Sequence, residues 1–212
     1  MPAVRTFIPR LVCLAAALMV CGGSAFAGDY PDANREFDDS ATLIQSPSLV
    51  IVCHGFGCRN RTEIAFSDAD RARMAQILGA GKASPVAERQ AIANAVQWFD
   101  LRIGPEAGTM HHRARAGHEN MTNVSAQFDC IDASRNTTTL LTVLEDLHLL
   151  KFHRVEETVA RGALIDGRWP HATAVVTDRT TQKEWAIDSW THAYGEKPDV
   201  KPLDVWLSEG GL

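Results

Sequence analysis

Long apolar runs are nearly absent from this chain. One apolar, uncharged stretch covers Leu11 to Gly23 and no second long apolar run follows it, which argues against a polytopic membrane protein. Positive charge is also short: 21 Lys and Arg face 26 Asp and Glu. A nucleic-acid partner, which needs a basic face, is therefore not expected. No internal repeat and no low-complexity tract occurs, so solenoids and compositionally disordered arrays are set aside. Cysteine is too scarce, at five residues, for a scaffold built from disulfides.

The apolar stretch itself is informative. Arg5 and Arg10 precede it and Ala25-Phe26-Ala27 closes it. A basic start, a short apolar centre and an A-x-A end describe a secretory signal peptide, with cleavage expected after Ala27. Loss of both arginines takes the formal charge from −5 to −7 (19 basic against 26 acidic residues). The rest is long enough for one domain with its own core, expected over 49–212 and preceded by an acidic, polar linker over 28–48. A periplasmic or secreted location follows.

Three cysteines remain beyond Ala27: Cys53, Cys58 and Cys130. An odd count in an oxidising compartment points to one bridge and one free thiol. Cys53 and Cys58 flank His54-Gly55-Phe56-Gly57, whose glycines allow a sharp bend, so they are expected to pair and to leave Cys130 free. A metal site on Cys53, His54 and Cys58 is the competing reading, although a second pair of ligands is missing.

Local patterns place the elements. Leu49 to Val52 is a short β-branched run, a buried strand. Ser67 and Asp70 stand at capping-box spacing before a short helix that reaches Leu78. Ser84-Pro85 opens another, with Ile92, Val96, Phe99 and Ile103 on one face and Gly104-Pro105 as its expected end. The segment from Glu106 to Phe128 is polar and holds His111, His112 and His118 at irregular spacing, the mark of a solvated loop rather than a metal site. A helix is expected from about Asp129 to Leu149, with Cys130 in its first turn. Val155 to Val159 and Ala163 to Ile165 read as strands before the turn-like Asp166-Gly167. Ala172 to Thr177 and Glu184 to Ser189 are the clearest strand pair. The fold class is α+β, with helices packed on an antiparallel sheet.

Cys130, His171 and Asp188 carry the chemistry. The positive potential of a helix N-terminus favours a thiolate. A nearby imidazole can take the thiol proton, and a carboxylate can orient the imidazole. A hairpin turning about Arg179-Thr180 would set His171 directly opposite Asp188 on one sheet face. Cys130 Sγ is then expected within hydrogen-bond or near-hydrogen-bond range of the His171 imidazole. The backbone N–H of Cys130, with Gln127 as a weaker second donor, would hold an oxyanion.

Asp129-Cys130-Ile131-Asp132 at a helix start, Pro170-His171-Ala172-Thr173-Ala174-Val175-Val176 as one strand and Trp185-Ala186-Ile187-Asp188-Ser189-Trp190 as the next resemble the transglutaminase-like group of papain-like cysteine enzymes. The chain is also similar to bacterial exported proteins of that type. The resemblance spans 127–190 and implies a transglutaminase-like core with Cys130 as nucleophile, His171 as base and Asp188 as its partner. It implies a cysteine peptidase, amidase or acyl transferase acting on peptide or protein substrates, with no cofactor and no metal. The chain departs from the group in lacking aromatic residues around the nucleophile and in carrying Asn136-Thr137-Thr138-Thr139 within the helix.

Two other features have their own readings. Val52-Cys53-His54-Gly55-Phe56-Gly57 resembles the His-Gly oxyanion loop of α/β-hydrolases, but no Gly-x-Ser-x-Gly elbow follows. Trp169, Trp185, Trp190 and Trp206 crowd the last quarter. Three of them are expected in the core, while Trp169, beside Pro170 and His171, is a candidate cleft residue. A non-catalytic peptide- or wall-fragment-binding protein on the same scaffold is the alternative function.

Overall fold

A computed structural model describes residues 44–117, 123–162 and 170–209. The expected leader, most of the linker, His118, the strand at 163–165 and Trp169 lie outside these residues. Within them the architecture is α+β. Strands β1 (Ile44–Ser46), β2 (Leu49–His54) and β3 (Asn60–Ala65) form one antiparallel sheet in that order. Strands β4 (His153–Arg161), β5 (His171–Asp178), β6 (Glu184–Asp188) and β7 (Asp199–Pro202) form an antiparallel meander. The linker expected to reach Ser48 is therefore shorter, because Ile44 pairs with Val50 across a two-residue turn.

Helix α1 (Asp68–Gly79) starts on the expected capping box: Ser67 Oγ accepts from Asp70 N, and the Asp70 carboxylate accepts from Ser67 N at 2.9 Å. Helix α2 (Pro85–Ala107) starts on Ser84, whose Oγ accepts from Ala87 N. It buries Ile92, Val96, Phe99 and Ile103, as the 3.6-residue spacing requires.

Helix α2 does not stop at Gly104-Pro105; it runs to Ala107 and ends on Gly108, which takes φ 71°. Pro105 has no N–H for the carbonyl of Leu101. The Tyr194 hydroxyl, from a distant loop, donates to that carbonyl instead at 3.3 Å. A Cβ on Gly104 would come within 2.5 Å of the Tyr194 ring. Both apparent stop residues thus form the seat of a tyrosine.

Helix α3 (Cys130–Asp146) lies between the sheets, against β2, β4 and β5. Leu140, Leu141 and Leu144 join α1, α2, Ala174, Val176 and Ile187 in the main core. Each such side chain contributes about 1.5–3 kcal/mol by leaving water. Asn136, at first sight misplaced in a helix, closes the open edge of β2. Its Oδ1 accepts from Cys53 N and its Nδ2 donates to Cys53 O, both at 2.8 Å. Helix α4 (Leu203–Ser208) covers the opposite sheet face, where Leu203 and Trp206 pack on Val175 and Ala186.

The β5–β6 register differs from the expected one by two residues. Ala174 faces Ile187 and Val176 faces Trp185. The turn is centred on Thr180-Thr181 because Asp178 Oδ1 accepts both of their N–H groups at 2.9 Å. Gln182, at φ 56°, closes the loop. Carried one residue further, this register sets Asp188 across from Thr173, diagonal to His171. A slip of two preserves the face, whereas a slip of one would have separated the pair.

Candidate active site

Cys130 is the first residue of α3 and is not in a disulfide. The helix start is held by two carboxylates. Asp129 Oδ1 accepts from Asp132 N at 2.8 Å, forming a capping box. The remaining capacity of this pair goes to the loop between Cys53 and Cys58, which are joined as a disulfide. Asp132 accepts from Phe56 N at 2.8 Å and Cys58 N at 2.6 Å, and Asp129 from Gly57 N at 2.7 Å. Gly55 N donates to Gln127 O at 2.9 Å. With φ 81° and Asn60 Nδ2 only 2.3 Å from where a Cβ would sit, Gly55 is the residue this turn requires. The disulfide loop therefore forms a wall beside Cys130.

No metal fits that loop. Both sulfurs are spent on each other, and both ring nitrogens of His54 are engaged, Nδ1 with Ser125 O at 2.6 Å and Nε2 with Thr62 Oγ1 at 2.9 Å. The carbonyl fixes the proton on Nδ1. Among the expected loop histidines, His112 is not solvated. It is buried and pairs with Asp100 at 2.9 Å, while its ring lies against Phe128.

His171 is 3% exposed, and its Nε2 donates to Asp188 Oδ2 at 2.6 Å. Its Nδ1 is buried without a hydrogen-bond partner among the described residues. With Nε2 committed to the carboxylate, Nδ1 is the ring nitrogen available for proton exchange with a thiol. The rings of Trp190 and Trp206 flank the imidazole at 4.8 Å and 5.3 Å. Trp206 Nε1 donates to Asp188 Oδ2 at 2.9 Å. Trp190 Nε1 donates to Ala116 O at 2.8 Å, tying the loop after α2 to the site.

The Cys130 thiol lies against the backbone N–H of Ala172, the neighbour of His171. It is not hydrogen-bonded to the imidazole. Nor is it poised as a thiolate. Burial, followed by the negative charges of Asp129 and Asp188, pushes it up to about 12 despite the N–H groups of Ala172 and Cys130. Desolvation of a lone charge outweighs the helix N-terminus here. The resting sulfur is a thiol, and its proton must be removed by a partner.

Gln127 is occupied elsewhere: its Oε1 accepts from Arg113 N at 2.8 Å and its Nε2 reaches His111 O at 3.4 Å. These two bonds tie Gln127 to the adjoining loop. Trp185 packs against the main core with the Arg89 guanidinium 3.6 Å from its ring centre. Sequence reasoning placed Trp206 in the core and overlooked it as a partner of the dyad. It also overlooked a buried pair, Glu88 and His153, at 2.9 Å. Glu88 further accepts the N–H groups of Lys151, Phe152 and His153. This second pair is sealed and saturated, and it fastens α2 to the start of β4.

No family model, no curated protein and no solved structure matches this chain. No helix among the described residues is long and apolar enough to cross a membrane.

Proposed function

We propose that this protein is an exported cysteine-dependent amide hydrolase or acyl transferase with a transglutaminase-like, papain-like core. The observation that carries the reading is the arrangement of His171: Nε2 is held by Asp188, and the buried Nδ1 has no hydrogen-bond partner among the described residues. The Cys130 proton passes to Nδ1, the sulfur attacks a carbonyl carbon, and the oxyanion rests at the α3 N-terminus on the Cys130 N–H. Nδ1–H then protonates the leaving amine, giving a thioester. Water, deprotonated by the same nitrogen, completes hydrolysis; an amine in its place gives transfer. Burial that disfavours a lone thiolate opposes a thiolate–imidazolium pair far less, because the pair is neutral overall. Peptide or protein substrates follow from the resemblance. The Cys53–Cys58 disulfide supports an oxidising compartment.

The raised thiol and the missing sulfur–imidazole hydrogen bond favour the second reading, a binding protein on the same scaffold. Alkylation of Cys130 by iodoacetamide between pH 5 and 9 separates the two. The enzyme reading, in which His171 takes the thiol proton, expects labelling near neutral pH that is lost in His171→Ala. Labelling that rises only in strong alkali and ignores His171→Ala would leave the binding protein.

A further inference from the structure

We propose that Trp206 is a positioning residue for the His171–Asp188 pair, delivered by the last helix of the chain. This rests on the enzyme reading above. Asp188 is 3% exposed, and its Oδ1 has no hydrogen-bond partner among the described residues. Everything that holds the carboxylate therefore acts on Oδ2, which takes two donors: His171 Nε2 at 2.6 Å and Trp206 Nε1 at 2.9 Å.

A carboxylate held only by the imidazole could turn about its χ angles and carry the ring with it. The indole N–H removes that freedom, since both donors converge on one oxygen. The same indole lies 5.3 Å from the imidazole, so one residue restrains both the acid and the base.

Trp206 is itself fixed. It is 0% exposed and packs on Val175, Ala186 and Leu203. The Arg161 guanidinium lies 4.1 Å from its ring centre, and Arg161 Nη1 donates to its carbonyl. Arg161 also pairs with Glu209 at 3.2 Å, just past α4. Arg161 and His171 are opposite one another in the β4–β5 register. The strand pair that carries the base thus also clamps the helix that carries the indole. A buried indole in a C-terminal helix needs only apolar neighbours to be stable; its N–H needs a partner, and here that partner is the acid of the proposed site.

The test uses the full mature chain with two changes at position 206: Trp206→Phe, and replacement by benzothienylalanine, which keeps the bicyclic shape and lacks only the N–H. The first readout is 15N-resolved NMR of the His171 ring in the resting protein, which needs no substrate. The wild type is expected to show one tautomer, protonated on Nε2 and slow to exchange. Both variants are expected to show faster exchange of Nε2–H and mixing of tautomers, with unchanged far-UV circular dichroism. The second readout is turnover. Loss of one hydrogen bond to a charged group is expected to lower kcat about tenfold with KM within about twofold. An unchanged His171 spectrum in the benzothienylalanine protein overturns the positioning role, whatever the activity. A changed spectrum in the variants, together with a wild type that turns nothing over, keeps the positioning role and removes the enzyme reading instead.

Discussion

Single residues decide whether this molecule has a reactive centre. Membership of one face, not alignment across the strands, brings His171 and Asp188 together. Their parity was readable from the alternation along β5 and β6. The turn was not, because Asp178 and its two accepted N–H groups recentre it, a matter of side-chain chemistry rather than spacing. Asn136 is a second case. An amide in mid-helix is a poor sign by propensity, and only the open edge of β2 explains it. Asn136→Leu is expected to leave the Cys53 N–H and carbonyl buried and unpaired. The cost should be about 2–4 kcal/mol of unfolding free energy by urea titration. An effect below about 1 kcal/mol would mean that water replaces the amide.

Elements were legible where their signals are local. The Ser67–Asp70 box and the Ser84-Pro85 start lie within one turn of what they cap, so sequence sufficed. The end of α2 was misread because its stop residues answer to Tyr194, nearly a hundred positions away in the chain. Strand β3 went unread because its sequence, Asn-Arg-Thr-Glu-Ile-Ala, buries only Ile64. The α2 arrangement is testable as a pair. Gly104→Ala presses a methyl group into the Tyr194 ring and is expected to cost about 1–3 kcal/mol, as overpacking does. In a Tyr194→Ala background the same change should cost almost nothing, since the ring is gone and alanine is the better helix former. Additive effects in this double-mutant cycle would show that the ring does not rest on Gly104.

At the scale of the whole molecule, the Cys53–Cys58 loop, the α3 start and the site wall are one unit joined through two acidic side chains. Reduction of the disulfide should lower stability by about 2 kcal/mol for so short a loop. The carboxylates give the unit a pH dependence that composition alone does not reveal. Burial, with the charge of Asp129 next, pushes Asp132 up to about 7, and burial raises Asp129 as well. Between the ordinary aspartate value of about 3.9 and that raised value, the folded chain binds more protons than the unfolded one. Stability from this pair is therefore greatest at the acid end of the window and falls as pH rises through it. Asp178 works the other way. The N–H of Thr181 holds its carboxyl low, so its contribution is present above the usual aspartate range and lost in acid. Melting temperature should accordingly fall by a few degrees between pH 5 and pH 8. Asp132→Asn removes the charge that is costly to bury while retaining an acceptor oxygen. The wild-type minus variant difference should carry the slope, which isolates Asp132 from the rest of the chain. A difference that is flat across pH 5 to 8 would mean that the N–H groups of Phe56 and Cys58 hold Asp132 ionised throughout, and that the wall beside Cys130 is insensitive to pH.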